Sequence, residues 1–269
     1  MGDTATLSAD EQEARGRFHT DYPTVEPADL GVVIAAYNEE ANVGDVLKAI
    51  PPVVSGLRTV TIVVDDGSAD GTFEAARKHP NALVAQLRRN RGQGVALRLG
   101  YALARDVGVT YIATLDADGQ YPPSDLPAVL APLLDDTADF VTGSRKLGSA
   151  EAPTLIRRMG TVVFARLMSM LVGQTITDTS NALRAMRAEI TGKVILDQPQ
   201  YQSAELMIGV LAGGWRVAEV PTVIRRRASG KSKKGPAWLY GYHYATVVVG
   251  TWLRERRRRG SGGAPAGQG

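Results

Sequence analysis

The sequence predicts an α/β fold in which a mostly parallel central sheet carries helices on both faces. Short, continuous apolar runs alternate with segments of helical spacing between residues 30 and 116. Strands of a parallel sheet read as uninterrupted apolar runs because helices bury both of their faces. Polar clusters follow three of these runs, and in open sheets of this kind ligands bind beyond the carboxyl ends of the strands.

The first half of the chain supplies the strands and helices in a regular order. Its predicted strands are LGVVIAA (30–36), TVTIVVD (59–65), ALVAQL (82–87), YIATLD (111–116) and DFVTGSR (139–145). Helical spacing lies between them, over residues 40–50, 70–78 and about 93–107. This alternation is the pattern expected of parallel strands joined by helices.

After residue 136 the pattern is less regular. A long amphipathic helix over 153–172 precedes the turn-rich TDTSNALRA (177–185), and a second helix occupies 203–212. WRVAEVPTVIRRR (215–227) has the composition of a strand. Pro221 within it indicates a sheet edge or a kink, because proline cannot donate to a strand ladder.

Four segments organise the chain. Residues 1–28 are polar and acidic, and we expect a flexible leader without a signal peptide. Residues 29–234 form the predicted main domain, 235–259 an amphipathic basic helix, and 260–269 (GSGGAPAGQG) a disordered tail. No apolar run approaches the roughly 18 residues that span a bilayer, so we expect a cytoplasmic protein.

Cysteine and charge restrict the function further. The chain has no cysteine, which excludes disulfides, thiolate catalysis and cysteine-ligated zinc. Residues 225–259 hold eleven lysines and arginines against the single acid Glu255, a net charge of +10, while the other twenty basic and twenty-seven acidic residues give −7. This asymmetry indicates a polyanionic partner or a solvated basic tail. Interleaved aromatic residues and a known nucleic-acid-binding signature are lacking, so we expect no nucleic acid partner.

Asp116-Ala117-Asp118 is the first candidate site. It follows the strand YIATLD, and side chains two residues apart in an extended chain point to the same side. Two carboxylates with open positions suit Mg²⁺ or Mn²⁺, which then bridges diphosphate oxygens. Gln120 has the same parity and is the third candidate metal ligand. A lone D-x-D is weak on its own because acids are common in loops.

Asp65-Asp66-Gly67-Ser68 is the second candidate site. Its acids can accept hydrogen bonds from a nucleobase N–H and ribose hydroxyls, and Gly67 allows close approach of the backbone. The alternative is a strand-to-helix turn whose acids complement the helix dipole. Asn90-Arg91-Gly92-Gln93-Gly94 also has spaced glycines, but it lacks the Gly-Lys-Ser/Thr of a P-loop and follows the third strand rather than the first.

Together these motifs resemble a family 2 glycosyltransferase, and more closely the dolichol- or polyprenyl-phosphate mannosyl and glucosyl synthases. The resemblance covers about residues 29–234, with the motifs in family order. They are IAAYNEE (34–40), VVDDGSADGT (63–72), NRGQGVALRLG (90–100), LDADGQYPPSDL (115–126), GSR (143–145), DTSNALRA (178–185) and EVPTVIRRRASGKSKK (219–234).

The resemblance implies a GT-A fold, an inverting reaction and a role for each matching residue. The nucleotide of the donor would contact Ala35, Tyr37, Glu39, Val64 and Asp66. The metal and diphosphate would lie at Asp116, Ala117, Asp118 and Gln120, and phosphate groups at Arg145, Arg227 and Lys233. The sequence departs from the family pattern in two places. Ala35 replaces the usual proline of P-x-Y-N-E, and Asn181-Ala182-Leu183-Arg184, in the expected acceptor loop, replaces S-G-F-R.

The nature of the acceptor decides whether a base is needed. A lipid phosphate is an anion at neutral pH, so positioning and charge neutralisation suffice. A hydroxyl acceptor needs a carboxylate base, for which Asp178 and Glu205 are candidates, although either acid also fits a cap or turn role. We take Asp118, Asp178 and Arg145 as the candidate catalytic residues.

The predicted function is transfer of a hexose from a GDP- or UDP-sugar to a polyprenyl phosphate. WLYGYHYATVVVGTWL (238–253) followed by RERRRR suits a helix on the anionic inner face of a membrane, or a packed helix with a solvated basic end. The alternatives are a soluble family 2 transferase acting on a hydroxyl of a glycan or secondary metabolite, and a non-catalytic nucleotide-sugar-binding protein.

Overall fold

The structure, a computed structural model, describes residues 7–150, 155–225 and 237–260. Its strands are β1 (Leu30–Ala36), β2 (Val53–Val54), β3 (Leu57–Asp65), β4 (Ala82–Gln86), β5 (Tyr111–Asp116), β6 (Phe140–Ala150), β7 (Arg184–Arg187) and β8 (Val217–Ile224). Its helices are α1 (Ala9–Asp21), α2 (Glu40–Ala49), α3 (Thr72–Arg77), α4 (Gln93–Asp106), α5 (Leu126–Leu134), α6 (Leu155–Val172), α7 (Ile190–Lys193), α8 (Gln202–Ala212) and α9 (Ala237–Gly260).

The eight described strands form one mixed sheet in the order β2-β3-β1-β5-β7-β6-β8, with β4 also paired to β3. The pairs β1–β3, β1–β5, β3–β4 and β6–β8 are parallel, whereas β7 runs antiparallel to both of its neighbours. The predicted, mostly parallel sheet is therefore confirmed. Pro221 lies in the edge strand β8, as its missing N–H predicts.

Apolar side chains of the sheet alternate between two cores. Val33, Ile62 and Val64 pack under α1, α4 and α8, while Val32 and Ile34 pack under α2 and α5. Both faces of the central strands are thus covered by helices, which explains why these strands are apolar throughout.

The structure corrects the expectation of a flexible leader over residues 1–28. Residues 9–21 form α1, which Ser8 and Glu11 begin as a capping box. Phe18 is buried, and the fully buried Glu11 accepts hydrogen bonds from Arg98 of α4, from Nε at 2.8 Å and from Nη2 at 2.6 Å. The low hydrophobicity of the leader gave no signal for this helix, because few of its residues are apolar. Ala14 and Phe18 pack into the core, and ion pairs from Glu11 to Arg98 and from Arg15 to Asp106 add to these contacts.

The predicted helices and strands are confirmed with shifts of a few residues at their ends. The segment TDTSNALRA, expected to be a turn, continues into strand β7, whose Arg184–Arg187 ladder joins β5 to β6. β6 also extends beyond its predicted end to Ala150. Residues 261–269 of the predicted tail lie outside the described residues.

Candidate functional site

The carboxyl ends of β1, β3 and β5 meet in register. Ala35 of β1 pairs with Val64 of β3 on one side and with Asp116 of β5 on the other. Three residues predicted separately from three motifs therefore form one row across the sheet. The loops that follow these strands open on the same edge, as expected for a parallel sheet.

The loop after β1 is held by the loop after β3. Asn38 has a left-handed backbone with a φ of 50°, its N–H donates to Ser68 Oγ at 2.8 Å, and its side-chain oxygen accepts from Ala69 N at 2.8 Å. Glu39 is buried, and its N–H donates to Thr72 Oγ1 at 2.8 Å. Tyr37, in the same loop, is half-buried. The candidate nucleotide-binding residues Tyr37 and Glu39 thus lie on a braced loop.

Asp66 joins the loop after β3 to the glycine-rich loop before α4. Its two carboxylate oxygens accept from Arg91 N at 2.7 Å and Gly92 N at 2.9 Å. Burial raises the pKa of Asp66 to about 6, against the lowering effect of these two bonds. Its neighbour Asp65 is fully buried and accepts from Ser68 and from Gln86 Nε2. Both acids therefore stabilise loops, and Asp66 still lies at the strand end predicted for base and ribose.

Glycines in these loops allow close packing of the backbone. Gly67 has a φ of 67°, and a Cβ there would lie 2.3 Å from the carbonyl carbon of Arg89. Gly94 donates its N–H to Pro199 O at 2.8 Å, and a Cβ there would lie 2.1 Å from Gln198 O. The spaced glycines of residues 92–94 therefore fit α4 against the segment before α8, which agrees with the absence of a P-loop.

Asp116 and Asp118 extend from the end of β5 as predicted. Asp116 Oδ1 accepts from Gln93 Nε2 at 2.9 Å, and the buried Asp118 accepts from Gln120 N at 3.0 Å through its Oδ1. Ala117 between them is buried in the core beneath the motif. Gln93, the first residue of α4, is a contact of the motif that sequence reasoning missed, because nothing in the spacing of residues 90–94 relates it to β5.

Gln120 connects the motif to the basic segment. Its Nε2 donates to Arg225 O at 3.1 Å, and Arg225 N donates to Gln120 O at 3.0 Å. Arg225 is the last described residue before 226–236. The predicted phosphate contacts Arg227 and Lys233 lie outside the described residues, and the chain enters their segment directly from this contact.

Arg145 and Asp178 form an ion pair beside the motif. Arg145 donates to the fully buried carboxylate from Nε at 2.6 Å and Nη2 at 2.7 Å, and its backbone N–H donates at 3.1 Å. Ser180 N donates a fourth bond at 3.1 Å. Burial lowers the pKa of Arg145, but the Asp178 carboxylate outweighs this effect and keeps it above the ordinary range. Arg145 therefore stays cationic, and Asp178 is saturated with donors.

Tyr121 places this ion pair and the aspartate motif in one neighbourhood. It directly follows Gln120, is buried, and hydrogen-bonds to the backbone of Ala182. Burial raises its pKa, and the charges of Asp116, Arg145 and Asp178 all act on its hydroxyl. Tyr121 was not among the predicted site residues, although its position next to the D-x-D motif was a usable signal.

Two further residues hold the loop that carries Asp178. Glu219 of β8 accepts from Thr177 N at 2.9 Å and Asp178 N at 3.0 Å, and burial raises its pKa. Tyr244 of α9 donates to this loop, with its hydroxyl 2.7 Å from Thr179 Oγ1 and 3.0 Å from Thr179 O. Glu219 opens the recognised segment EVPTVIRRR, whereas no sequence signal relates Tyr244 to residue 179.

The interpretation of Glu205 as a general base is wrong. Glu205 is fully buried, and its carboxylate accepts from Asp197 N and Gln198 N, both at 3.0 Å, and from Arg254 Nη1 at 2.9 Å. It anchors the chain before α8 and the helix α9. A buried acid with these three donors has no path to a substrate hydroxyl.

Helix α9 packs with one face and exposes the other. Tyr244, Val248, Thr251 and Glu255 recur at helical spacing and are buried, and Trp252 Nε1 donates to Leu171 O of α6 at 2.7 Å. The exposed face carries Tyr242, Val249 and Leu253 and leads to the exposed arginines 256–259. Within the described parts of the chain, no helix combines the length and apolar character needed to cross a bilayer.

Sequence comparison identifies the family. The sequence model of glycosyl transferase family 2 matches residues 31–195, more than half of the chain. A dolichyl-phosphate hexose transferase from Haloferax volcanii is 38% identical over 230 residues, which cover 86% of this chain and 96% of that protein. A dodecaprenyl-phosphate galacturonate synthase from Rhizobium johnstonii is 27% identical over 243 residues, covering 88% of this chain and 70% of that one.

Solved structures share the fold. Glucosyl-3-phosphoglycerate synthase from Mycobacterium tuberculosis, solved in complex with Mn²⁺, UDP and phosphoglyceric acid, gives a TM-score of 0.66 at 22% identity, covering 94% of this chain and 86% of that one. The predicted α/β fold of the GT-A type is confirmed, as is the resemblance stated from the motifs. With these motifs meeting at one sheet edge, the chain belongs to glycosyltransferase family 2 and is a glycosyltransferase.

Proposed function

We propose that this glycosyltransferase transfers a hexose from a GDP- or UDP-sugar to a polyprenyl phosphate, with inversion at the anomeric carbon. One observation carries the choice of acceptor: four donors occupy both oxygens of Asp178, the predicted base. A hydroxyl acceptor needs a carboxylate lone pair to take its proton, whereas a phosphate monoester is already an anion at neutral pH. A cationic arginine beside a saturated carboxylate therefore suits a phosphate nucleophile.

The donor nucleotide would lie across the ends of β1 and β3. Ala35 and Val64 are neighbours in the sheet there. Tyr37 and Glu39 follow on the braced loop, and Asp66 would accept from the base or ribose. The hydrogen bonds from Arg91 and Gly92 hold Asp66 in place without a nucleotide, which reduces the ordering needed on binding.

The residues at the end of β5 fit a divalent metal ion. Among the described residues, no cluster of three or more His, Cys, Asp or Glu side chains forms a closed ligand set. Mg²⁺ and Mn²⁺ in diphosphate-binding enzymes are held by one or two carboxylates, with phosphate oxygens and water in the other positions. Asp116 and Asp118, with Gln120 beside them, supply such an open set. A Mg²⁺ or Mn²⁺ ion held by these residues would neutralise the charge that develops on the leaving diphosphate.

Arg145 would hold the entering phosphate. Its Nε and Nη2 donate to Asp178 and Ser180, and no acceptor among the described residues is bonded to Nη1. An acceptor oxygen held there forms the bond to the anomeric carbon while the bond from that carbon to the diphosphate breaks. The bonding electrons leave with the nucleoside diphosphate. Arg227 and Lys233, whose segment begins at the Gln120–Arg225 contact, would add charge around the same phosphates.

The names of two relatives support this acceptor. The Haloferax volcanii protein, 38% identical and covered over 96% of its length, is named a dolichyl-phosphate hexose transferase. The Rhizobium johnstonii relative is likewise named for a lipid phosphate, dodecaprenyl phosphate. These names agree with the phosphate acceptor that the hydrogen bonds to Asp178 favour.

The exposed face of α9 suits an anionic membrane surface, where such an acceptor resides. Apolar Tyr242, Val249 and Leu253 lie on it beside the arginines 256–259, and Met170 of the adjacent α6 is 80% exposed. Each basic residue near an anionic leaflet contributes about 1 kcal/mol of binding. Co-sedimentation with phosphatidylglycerol vesicles tests this: Arg256→Gln with Arg257→Gln should weaken binding. Equal binding to neutral phosphatidylcholine vesicles would contradict the proposal.

Incubation with a panel of nucleotide sugars tests the function as a whole. The full chain is supplied with Mn²⁺, polyprenyl phosphate and sugars labelled in the hexose, and the product is extracted into organic solvent. We expect label in the organic phase from one donor and acid-labile release of the sugar. Release of nucleoside diphosphate without label in the lipid phase would instead favour a hydroxyl acceptor or hydrolysis.

A further inference from the structure

Next to Arg145, the sheet ends in a short two-stranded ribbon. The pairing of β6 with β7 covers only Phe140–Thr142, whereas β6 stays paired with β8 as far as Ala150. Between Ser144 and Ser149 the register shifts, because β6 has more residues than β8 over this interval. Bulges of this kind re-aim side chains and are frequent beside active sites.

This ribbon exposes apolar side chains. Leu147 of β6 is 50% exposed and Val223 of β8 is 41% exposed, and Ile224 beside it is half-buried. Val223 pairs with Ser149, two residues from Leu147, so the exposed pair lies on adjacent strands. We call Leu147 and Val223 the apolar ribbon; Ile224 packs against the core on the other face of β8. Thr222 is buried beneath it against Gly143 and Gly148, where an added Cβ would lie 2.5 and 2.2 Å from Thr222 atoms.

Cationic residues flank the apolar ribbon on both strands. Arg145 precedes Leu147 by two residues, a separation of no more than about 7 Å along the chain. The exposed Arg225 follows Ile224 directly. An exposed apolar surface bounded by arginines complements a ligand with an anionic head and an apolar chain, and a simple phosphate or a glycan would leave the apolar side chains in water.

We infer that the apolar ribbon binds the first part of the hydrocarbon chain of the acceptor, while Arg145 holds its phosphate. This inference rests on the proposed function and deepens it, since it assigns chain-length selection to Leu147 and Val223. Contact with the chain removes these side chains from water and so strengthens binding of long-chain acceptors only. Binding of the nucleotide sugar, at the ends of β1, β3 and β5, is independent of the ribbon.

A series of isoprenoid phosphates of increasing length tests the inference. The variant Leu147→Gln with Val223→Thr removes apolar surface but keeps side-chain size and β-branching. We expect its KM for long-chain acceptors to rise about tenfold, with an unchanged KM for the shortest phosphate and for the donor. The matched control is Val53→Thr with Leu134→Gln, two residues that are 52% and 40% exposed on β2 and α5; it should behave like wild type.

Three results would overturn the inference. The first is an unchanged dependence on chain length in the ribbon variant, and the second is an equal loss in the control variant. The third is a change in oligomeric state by light scattering with unchanged kinetics, which would make the ribbon a contact between copies of the chain. If wild type uses no isoprenoid phosphate of any length, the proposed function itself fails, and thermal unfolding of each variant separates these outcomes from misfolding.

Discussion

Arg145 meets Asp178 side-on, with Nε and Nη2 of the guanidinium at 2.6 and 2.7 Å from the two carboxylate oxygens. This bidentate geometry fixes the plane of the guanidinium and directs its remaining nitrogen, Nη1, away from the pair. The carboxylate therefore acts as a positioning group for the arginine. A lysine in place of Arg145 could not reproduce this arrangement.

Asp178→Asn should lower turnover without changing the shape of the pH–rate profile. The amide keeps the size of the side chain but replaces one acceptor by a donor facing Arg145, so the arginine loses orientation. Hydrogen bonds to charged groups contribute about 1.5–3 kcal/mol, so we expect a loss of at least tenfold in kcat/KM for the acceptor. Steady-state kinetics from about pH 6 to 9 checks this. Loss of the acidic limb from the profile, where a general base becomes protonated, would instead show that Asp178 takes a proton.

Asp118→Asn should abolish transfer and weaken Mn²⁺ binding while the fold is kept. The substitution removes one of two carboxylates at the end of β5, and its neutral oxygen binds a hard cation less well. Titration of Mn²⁺ in the presence of nucleoside diphosphate, followed by electron paramagnetic resonance, measures the loss directly. Asp135→Asn, at an exposed acid just after α5, is the matched control and should bind Mn²⁺ as wild type does. Unchanged Mn²⁺ affinity in Asp118→Asn would remove this residue from the metal site.

The affinity for the nucleotide sugar should fall as the pH falls through about 6. Burial raises the pKa of Asp66 to about 6, and a protonated carboxyl loses its capacity to accept from a base or ribose donor. If binding requires the ionised form, affinity at pH 5 is about tenfold lower than at pH 7. Calorimetry with the intact nucleotide sugar is suitable, because its diphosphate has no ionisation in this range. Asp66→Asn should bind weakly with a flat profile; an equally steep profile in that variant would assign the titration elsewhere.

Tyr244→Phe should reduce acceptor transfer while donor binding is unchanged. The substitution keeps the ring, which packs on Phe164 with 4.6 Å between centroids, but removes both hydrogen bonds to Thr179. The loop that carries Asp178 then loses its connection to α9, and we expect kcat to fall about tenfold, as for loss of one to two hydrogen bonds. Tyr242→Phe, two residues away and 64% exposed, is the control. A rise in the KM of the donor alone would contradict this assignment.

Much of the fold around β1, β3 and β5 could be predicted from the local pattern of apolar and polar residues. The runs ending at Ala36, Asp65 and Asp116 are apolar because the strands are buried on both faces, and their shared direction brings the following polar residues to one edge. Ala35 pairs with both Val64 and Asp116, so three motifs that are far apart in the sequence meet at one edge of the sheet.

The region around β7 and Asp178 was less predictable, because contacts between residues far apart in the sequence form it. Strand β7 is only four residues long and lies antiparallel between strands from distant parts of the chain. Four residues are too few to show the periodicity that predicts a strand. The saturation of Asp178 depends on Arg145, 33 residues away, and the support of its loop depends on Tyr244, which is 65 residues from its partner Thr179. Sequence spacing predicts which residues are neighbours within one helix or strand, whereas these contacts join residues of different helices, strands and loops.

Helix α1 changes where this protein can be cut. The match to the family begins at residue 31, after α1, yet Glu11 of α1 accepts two bonds from Arg98, which α4 buries in the domain. A chain shortened to the family boundary would leave a buried guanidinium whose one remaining bond among the described residues is to Leu196 O, and would expose the apolar surface on which Phe18 packs. The segment that matches the family model is thus shorter than the segment that folds as one domain. An affinity tag should therefore be placed ahead of residue 7 and should not replace α1.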